Sequence, residues 1–379
     1  MTGPALGLYV HWPYCAAICP YCDFNVRRDR GGDHAALIAA IETDILAHAG
    51  RVERRPLSSV FFGGGTPSRL ASQDVARLIA AANRAFGVSA DAEISLEANP
   101  EDYEAFAAMA AAGVNRFSLG VQALDDAALR RLGRTHDVAG AHRAIAAAAQ
   151  TGARVSIDLI YAREGQTWTA WTRELRAALA APVAHVSLYE LTIEPRTPYA
   201  RAAARGRYAP LSPDDAATLF ARTHALCASA GFPAYEISNF ARTLADRARH
   251  NLLYWRSETW IGVGPGAHGR LLHGDTRLAT AAHRDIAAYI GATAEHGVGW
   301  STSETLTRTA FADEMLLMGL RLREGVSRAA VETMRGAPLD PTRLAALVNE
   351  GIVSVAGDRI ALSEQGLIVA DRVAAELSA

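Results

Sequence analysis

The sequence predicts an α/β protein in two parts. A partial (β/α)6 barrel with its extension occupies residues 1–300, and a mainly helical, winged-helix-like domain occupies residues 301–379. Two observations lead there. Short runs rich in β-branched and aromatic residues alternate with longer helical patterns as far as about residue 195, and near Ser301 that alternation stops. Strand–helix alternation implies parallel strands joined by right-handed crossovers.

Strands are expected at Leu8–His11, Val60–Phe62, Ile94–Leu96, Phe117–Leu119, Val155–Ile160 and His185–Tyr189. The helical patterns between them are Ala35–Ala49, Gln73–Phe86, Tyr103–Ala112, Val138–Thr151 and Thr167–Ala180. In such barrels function gathers at the carboxyl ends of the strands. The run Pro195–Pro210, rich in Arg, Ala and Pro, reads as a surface excursion. Pro213–Gly231 reads as a helix with Ser212 as its N-cap.

In the second part, Phe311–Leu322, Arg328–Met334 and Thr342–Glu350 are short helices. Ile352–Val355 and Ile360–Leu362 flank a Gly357-Asp358 turn as a hairpin, and Leu367–Leu377 closes the chain as a helix. That order resembles a winged helix. A nucleic-acid role is a poor reading: from Leu306 to Ala379 eight Arg stand against ten Asp and Glu, 8 − 10 = −2, whereas a DNA-binding module is basic. Packing or partner docking is the expectation.

Composition narrows the function classes. The formal charge of the whole chain is −2, so no general attraction to nucleic acid is expected. No apolar run reaches the ~18 residues of a membrane span. Met1 to Tyr9 lacks the basic and apolar segments of a signal peptide, which with accessible thiols points to the cytoplasm. The chain has no lysine: all 38 basic residues are arginine. Schiff-base catalysis and a P-loop phosphate lysine are thereby excluded.

Three of the four cysteines, Cys15, Cys19 and Cys22, lie within His11–Phe24 with the spacing C-x3-C-x2-C. Three thiolates on one loop can hold three corners of a cubane iron–sulfur cluster, leaving the fourth iron free for a ligand that is not protein. A structural zinc site needs a second ligand pair, which is missing. A disulfide framework belongs to small secreted chains with an even count. The remaining Cys227 sits in a helical stretch and reads as a buried core thiol. The cysteine spacing resembles radical SAM proteins, in which the open corner takes S-adenosylmethionine (SAM).

Further motifs follow predicted strands. Phe61-Phe-Gly-Gly-Gly-Thr-Pro67 lets backbone approach a ligand closely, because no Cβ intervenes. Glu97-Ala-Asn-Pro100 offers a carboxylate for an ammonium. Gln122 offers both donor and acceptor, Arg134 a clamp for a carboxylate, and Asp158 an acceptor for ribose hydroxyls. For each alone, a salt bridge or a cap is an equal reading.

Together these motifs resemble the oxygen-independent coproporphyrinogen III oxidase-like family of radical SAM proteins, over essentially the whole length. By that resemblance Cys15, Cys19 and Cys22 bind a [4Fe-4S] cluster. Tyr9, Gly64, Gly65, Thr66, Glu97, Gln122, Arg134 and Asp158 match SAM-contacting positions. Tyr21 matches an aromatic position near the adenine. Two departures resemble the heme-chaperone branch instead of the oxidase: Phe24 stands where the oxidase has a fourth cysteine, and Cys15 lies almost at the start.

The run His250-Asn-Leu-Leu-Tyr-Trp255 matches a signature of that branch, which implies heme contact by His250, Tyr254 and Trp255. His268, in Gly262-Val-Gly-Pro-Gly-Ala-His-Gly269, is a second-rank contact. The glycines there suit a tight loop near the site and not a dinucleotide fingerprint, which needs a strand and a helix around it. Glu164 stands where relatives commonly have proline, so a local backbone change is expected. The function expected is a heme chaperone with a cluster and SAM, passing heme to apo-hemoproteins. The alternative is radical decarboxylation of coproporphyrinogen III to protoporphyrinogen IX. A homodimer and a peripheral membrane contact are left open.

Overall fold

A computed structural model describes residues 5–32, 34–273 and 276–378. All six expected strands form: β1 Leu6–Trp12, β2 Leu57–Gly64, β3 Val88–Ala98, β4 Arg116–Gln122, β5 Arg154–Tyr161 and β6 His185–Glu190. Each is parallel to the next in that order. Between them run α1 His34–Ala47, α2 Ser72–Phe86, α3 Phe106–Ala111, α4 Asp126–Arg131, α5 Val138–Gln150 and α6 Trp168–Ala180.

Side chains alternate across these strands with period two. Leu8, Val60, Phe62, Leu96, Phe117, Leu119, Ile157 and Val186 form one buried apolar set, the core beneath the helices. The alternate set, including Ser95, Glu97, Arg116, Ser118, Ser156, Asp158, His185 and Ser187, lines a chamber inside the barrel. The interior is therefore polar, and part of it is hydrogen-bonded. Arg116 donates to Ser156 Oγ at 2.7 Å and pairs with Glu93 at 3.2 Å, and Ser156 Oγ lies 3.0 Å from His185 Nδ1. Such pairing is what makes buried polar groups tolerable.

Among the described residues the sheet has eleven strands, more than the sequence predicts. Beyond β6 lies the antiparallel β7 Asn239–Ala241. Beside β1 lies the parallel β8 Thr259–Val263, followed by antiparallel β9 His268–His273, β10 Thr276–Ala282 and β11 Trp300–Leu306. Strand β11 is exposed along most of its length, so no apolar alternation announces it. The excursion holds a short helix, α7 Pro198–Ala204, capped by Thr197, whose hydroxyl accepts from Ala200 N–H at 3.1 Å. Next come α8 Pro213–Ser229, α9 Arg249–Trp255 and α10 Ile286–His296. Ser212 caps α8 as expected, accepting from Asp215 N–H at 3.1 Å. Cys227, on α8, is fully buried, and burial pushes its thiol up to about 12.

The C-terminal segment follows the expected order. It comprises α11 Arg308–Gly319, β12 Val326–Ser327, α12 Arg328–Arg335, α13 Pro341–Asn349, the hairpin β13 Val353–Ala356 and β14 Arg359–Leu362, then α14 Glu364–Ile368 and α15 Ala370–Ser378. It has its own apolar cluster, including Leu316, Val331, Leu347, Ile360 and Val373, joined by Phe220 of α8. Position 300/301, where the sequence pattern changes, falls at the start of β11, a strand of the large sheet. Among the described residues, no helix is long and apolar enough to cross a membrane.

Candidate functional site

A cavity of about 310 Å³ opens at the carboxyl ends of the barrel strands. It brings together Cys15, Cys19, Cys22, Tyr21, Gly64, Gly65, Thr66, Glu97, Gln122, Arg134 and Asp158. These residues come from six separate stretches of sequence, and the parallel register aligns them. Glu97 lies beside Ser118, and Asp158 beside Ser187, on neighbouring strands.

The glycine turn is fastened to the cysteine loop. Gly65 N–H donates to the Trp12 carbonyl at 2.6 Å, and Thr66 N–H donates to the Tyr14 carbonyl at 2.8 Å. A Cβ on Gly65 would lie 2.5 Å from the Tyr14 carbonyl oxygen, so only glycine fits. Gly64 holds φ of 106°, and a Cβ there would strike the His11 ring at 2.6 Å. A short parallel bridge, Tyr14–Cys15 with Arg27–Arg28, closes the loop. Gln122 ends β4 in the left-handed region at φ of 65°, a strain found mainly where function demands it.

Arg134 ties the loop to the barrel. Its Nη2 donates to Asn99 Oδ1 at 2.6 Å and to the Gly120 carbonyl at 3.1 Å, and its Nη1 approaches Cys19 Sγ at 3.4 Å. Its Nε is buried without a partner. Among the described residues no three His, Cys, Asp or Glu side chains converge on one point as a single-ion site requires. The three thiols form no disulfide, and all three residues line the cavity. Burial pushes the Cys22 thiol up to about 11, so its ionisation has to be driven by a cation.

Among the described residues, three carboxyls line the cavity: Glu97, Asp158 and the exposed Glu190. Glu97 accepts from Gly64 N–H at 3.0 Å; burial and then the nearby Asp158 push it up to about 8. Asp158 accepts from Ser118 Oγ at 3.1 Å, and burial pushes it up to about 6. A carboxyl with a raised folded-state value binds its proton more tightly when folded. Both groups therefore support the fold best in acid and weaken it as pH rises, Asp158 up to about 6 and Glu97 up to about 8. The thermal midpoint of Glu97→Gln should exceed that of the parent by a margin that widens between about pH 5 and about pH 8, then levels off. A margin independent of pH would contradict an ionisable, buried Glu97.

Tyr9, His250 and Tyr254 are not in this cavity. They line the inner chamber below it, which shares Glu97, Ser118, Asp158 and Tyr189 with the cavity above. Tyr9 Oη lies 2.9 Å from His11 Nδ1, and His11 Nε2 lies 3.0 Å from the Asn25 carbonyl of the cysteine loop. His250 is 2% exposed, stacks on Phe61 at 4.4 Å, and leaves Nε2 buried without a partner. Burial holds its imidazole neutral, down at about 3. Trp255 is not with them: Arg321 of the C-terminal segment covers its ring at 5.4 Å. The helix explains the split, since His250 and Tyr254 are four apart on one face and Trp255 is a 100° step away. His268 is exposed on β9 and outside the cavity.

His11, Asn25 and Asn99 were missed from the sequence. Asn25 Nδ2 donates to the Pro265 carbonyl at 2.8 Å and to the Arg284 carbonyl at 3.0 Å, so it fastens the cysteine loop to the glycine loop at Gly262–Gly269. A Cβ on Gly266 would strike Asn25 Nδ2 at 2.7 Å, which confirms the tight loop expected there. No local motif signals a bond between positions 240 residues apart.

A sequence model of the radical SAM superfamily matches residues 9–176, and one of the HemN C-terminal domain matches residues 306–369. A Mycobacterium tuberculosis protein named Heme chaperone HemW is 35% identical over 379 residues, covering 98% of this chain and 95% of its own. The chain belongs to the HemN-like family of radical SAM proteins. The Bacillus subtilis Heme chaperone HemW is 31% identical, with coverage of 96% and 97%. A Bos taurus protein named Radical S-adenosyl methionine domain-containing protein 1, mitochondrial, is 40% identical over 84% of this chain and 74% of its own. Among solved structures, Escherichia coli coproporphyrinogen III oxidase (HemN) matches with a TM-score of 0.82, covering 99% of this chain and 90% of its own at 24% identity. That likeness bears on the fold: a radical SAM partial barrel with a HemN-type C-terminal domain.

Proposed function

We propose that this chain is a heme chaperone that binds heme and passes it to apo-hemoproteins, carrying a [4Fe-4S] cluster and SAM at the barrel mouth. The observation that carries the reading is full-length likeness. The Mycobacterium tuberculosis and Bacillus subtilis proteins named heme chaperones align with barrel and C-terminal segment alike, covering 98% and 96% of this chain. A cytoplasmic setting suits the free thiols of the loop.

The residues present fit both groups. Cys15, Cys19 and Cys22 would hold three irons of the cluster, which supplies a redox-active corner with no protein ligand. Glu97 would take the SAM ammonium, Arg134 its carboxylate and Asp158 its ribose hydroxyls. Gly64, Gly65 and Thr66 would present backbone to the methionine moiety, and Tyr21 and Gln122 would flank the adenosyl part. Arg134 Nε, buried and unpartnered, marks one donor still to be used. Tyr9 acts on the site through His11, since its ring lies in the inner chamber.

Heme contact by His250 meets an obstacle: the ring is walled inside the barrel at 2% exposure. Trp255 lies outside the chamber that holds His250 and Tyr254. Titration of the purified chain with hemin should give a Soret band, and His250→Ala should leave its position unchanged. A shifted band in that variant would mean that α9 opens to deliver the imidazole. Under reducing conditions with SAM, no conversion of coproporphyrinogen III is expected. Phe24, 62% exposed at the cavity mouth, stands where the oxidase carries its extra cysteine. Robust protoporphyrinogen formation without a Soret band would assign the oxidase instead.

A further inference from the structure

A second cavity, of about 210 Å³, lies beside the cysteine loop, between the end of β5 and the excursion. Arg131, Arg163 and Arg207 line it together with Tyr199, Tyr208 and Leu191. Arg131 and Arg207 are exposed, and among the described residues neither guanidinium pairs with a carboxylate. Arg163 is only 6% exposed; its Nη2 is held by Glu174, and its Nη1 is buried with no partner. Ala162, just before it, turns the chain at φ of 57°, uncommon for a residue with a side chain. One carboxylate, Glu164, also lines the cavity. Its Oε1 accepts from Ala209 N–H at 2.7 Å, which pins the far end of the excursion.

The cavity wall is fastened to the first site. Tyr199 N–H donates to the Pro20 carbonyl at 3.1 Å, and its hydroxyl donates to the Arg131 carbonyl at 2.6 Å. Its ring stacks on Tyr208 at 4.7 Å and meets Tyr21 of the cysteine loop at 6.4 Å. Leu191 belongs to both cavities. Around the first one, Ile18 and Phe24 present large apolar side chains to solvent, at 49% and 62% exposure. An apolar rim adjoining a cluster of arginines matches a flat apolar ligand that carries carboxylates.

We propose that the second cavity receives the carboxylate arms of a tetrapyrrole whose flat face lies on the exposed apolar rim of the first. The inference rests on the tetrapyrrole reading above and adds how the ligand is recognised. Guanidinium forks match carboxylates in shape and charge. Arg163, fixed by Glu174, lines the cavity as an ordered guanidinium whose Nη1 has no partner. The cavity suits carboxylate arms and is too small for the macrocycle.

The test titrates the full chain with hemin and with hemin dimethyl ester, whose carboxylates are masked, reading the Soret band. The parent is compared with the double variant Arg131→Gln/Arg207→Gln; both positions are exposed, so the fold is preserved. The parent should bind the ester about tenfold more weakly than hemin, and the double variant should lose about tenfold for hemin but little for the ester. Iron-free protoporphyrin, followed by quenching of intrinsic fluorescence, should show the same dependence on the two arginines. Equal parent affinity for acid and ester, or unaltered hemin affinity in the double variant, overturns the inference while heme binding stands. No Soret change in the parent overturns the heme reading and this inference with it.

Discussion

Cys19→Ser should abolish bound iron and sulfide after anaerobic reconstitution, against about four of each per chain in the parent. In a cubane held by three thiolates each sulfur carries a different iron, so losing one leaves two anchors and a second open corner. Cys19 is also the thiol that Arg134 approaches at 3.4 Å, so its loss removes a tie between loop and barrel. The control is Cys227→Ala. That thiol is fully buried in the core beneath α8, far in sequence from the loop, and its removal leaves a small cavity and no unpaired hydroxyl. The control should keep its iron with a modest loss of stability. Iron lost from the Cys227 variant alone would show that the ligands are misplaced.

Glu97→Gln should weaken SAM binding by roughly 30-fold or more, the loss expected when one member of a desolvated charge pair is removed. The substitution keeps size and shape, and the amide oxygen can still accept from Gly64 N–H. Only the charge is lost. The same variant should be more stable without ligand at alkaline pH, because the parent carries a buried carboxylate that nothing cationic offsets. Higher stability with lost affinity is the signature of a residue retained for binding. Equilibrium dialysis with SAM, beside thermal melts, reads both. Unchanged affinity would move the ammonium site away from Glu97.

Much of this was legible in the sequence. The six barrel strands announce themselves because their helix-facing set is apolar and their flanks are helical. The polar chamber is legible too: Ser95 with Glu97, Arg116 with Ser118, Ser156 with Asp158, and His185 with Ser187 alternate with apolar neighbours, as a half-buried strand must. The cavity residues share strand ends, and parallel register does the rest.

What was not legible depends on geometry without a local pattern. Strand β11 is polar and exposed, so the width of the sheet stayed hidden. His250-Asn-Leu-Leu-Tyr-Trp255 was read as one constellation; as a helix it presents two faces, and only the fold shows which face the barrel buries. Glu164 was marked as a departure from its relatives, and its bond to Ala209 explains it as an anchor for the excursion. The arginine cavity joins residues 131, 163 and 207, which no spacing rule connects.

Delivery of heme is read by a transfer experiment. The purified chain, loaded with one equivalent of hemin and freed of excess, is mixed with an apo-hemoprotein whose holo form has a distinct Soret band. The recipient's band should grow as the donor's falls, faster than free hemin released by an inert carrier would allow. A chain that takes up hemin and keeps it, or gives it up no faster than that carrier, would contradict the chaperone reading.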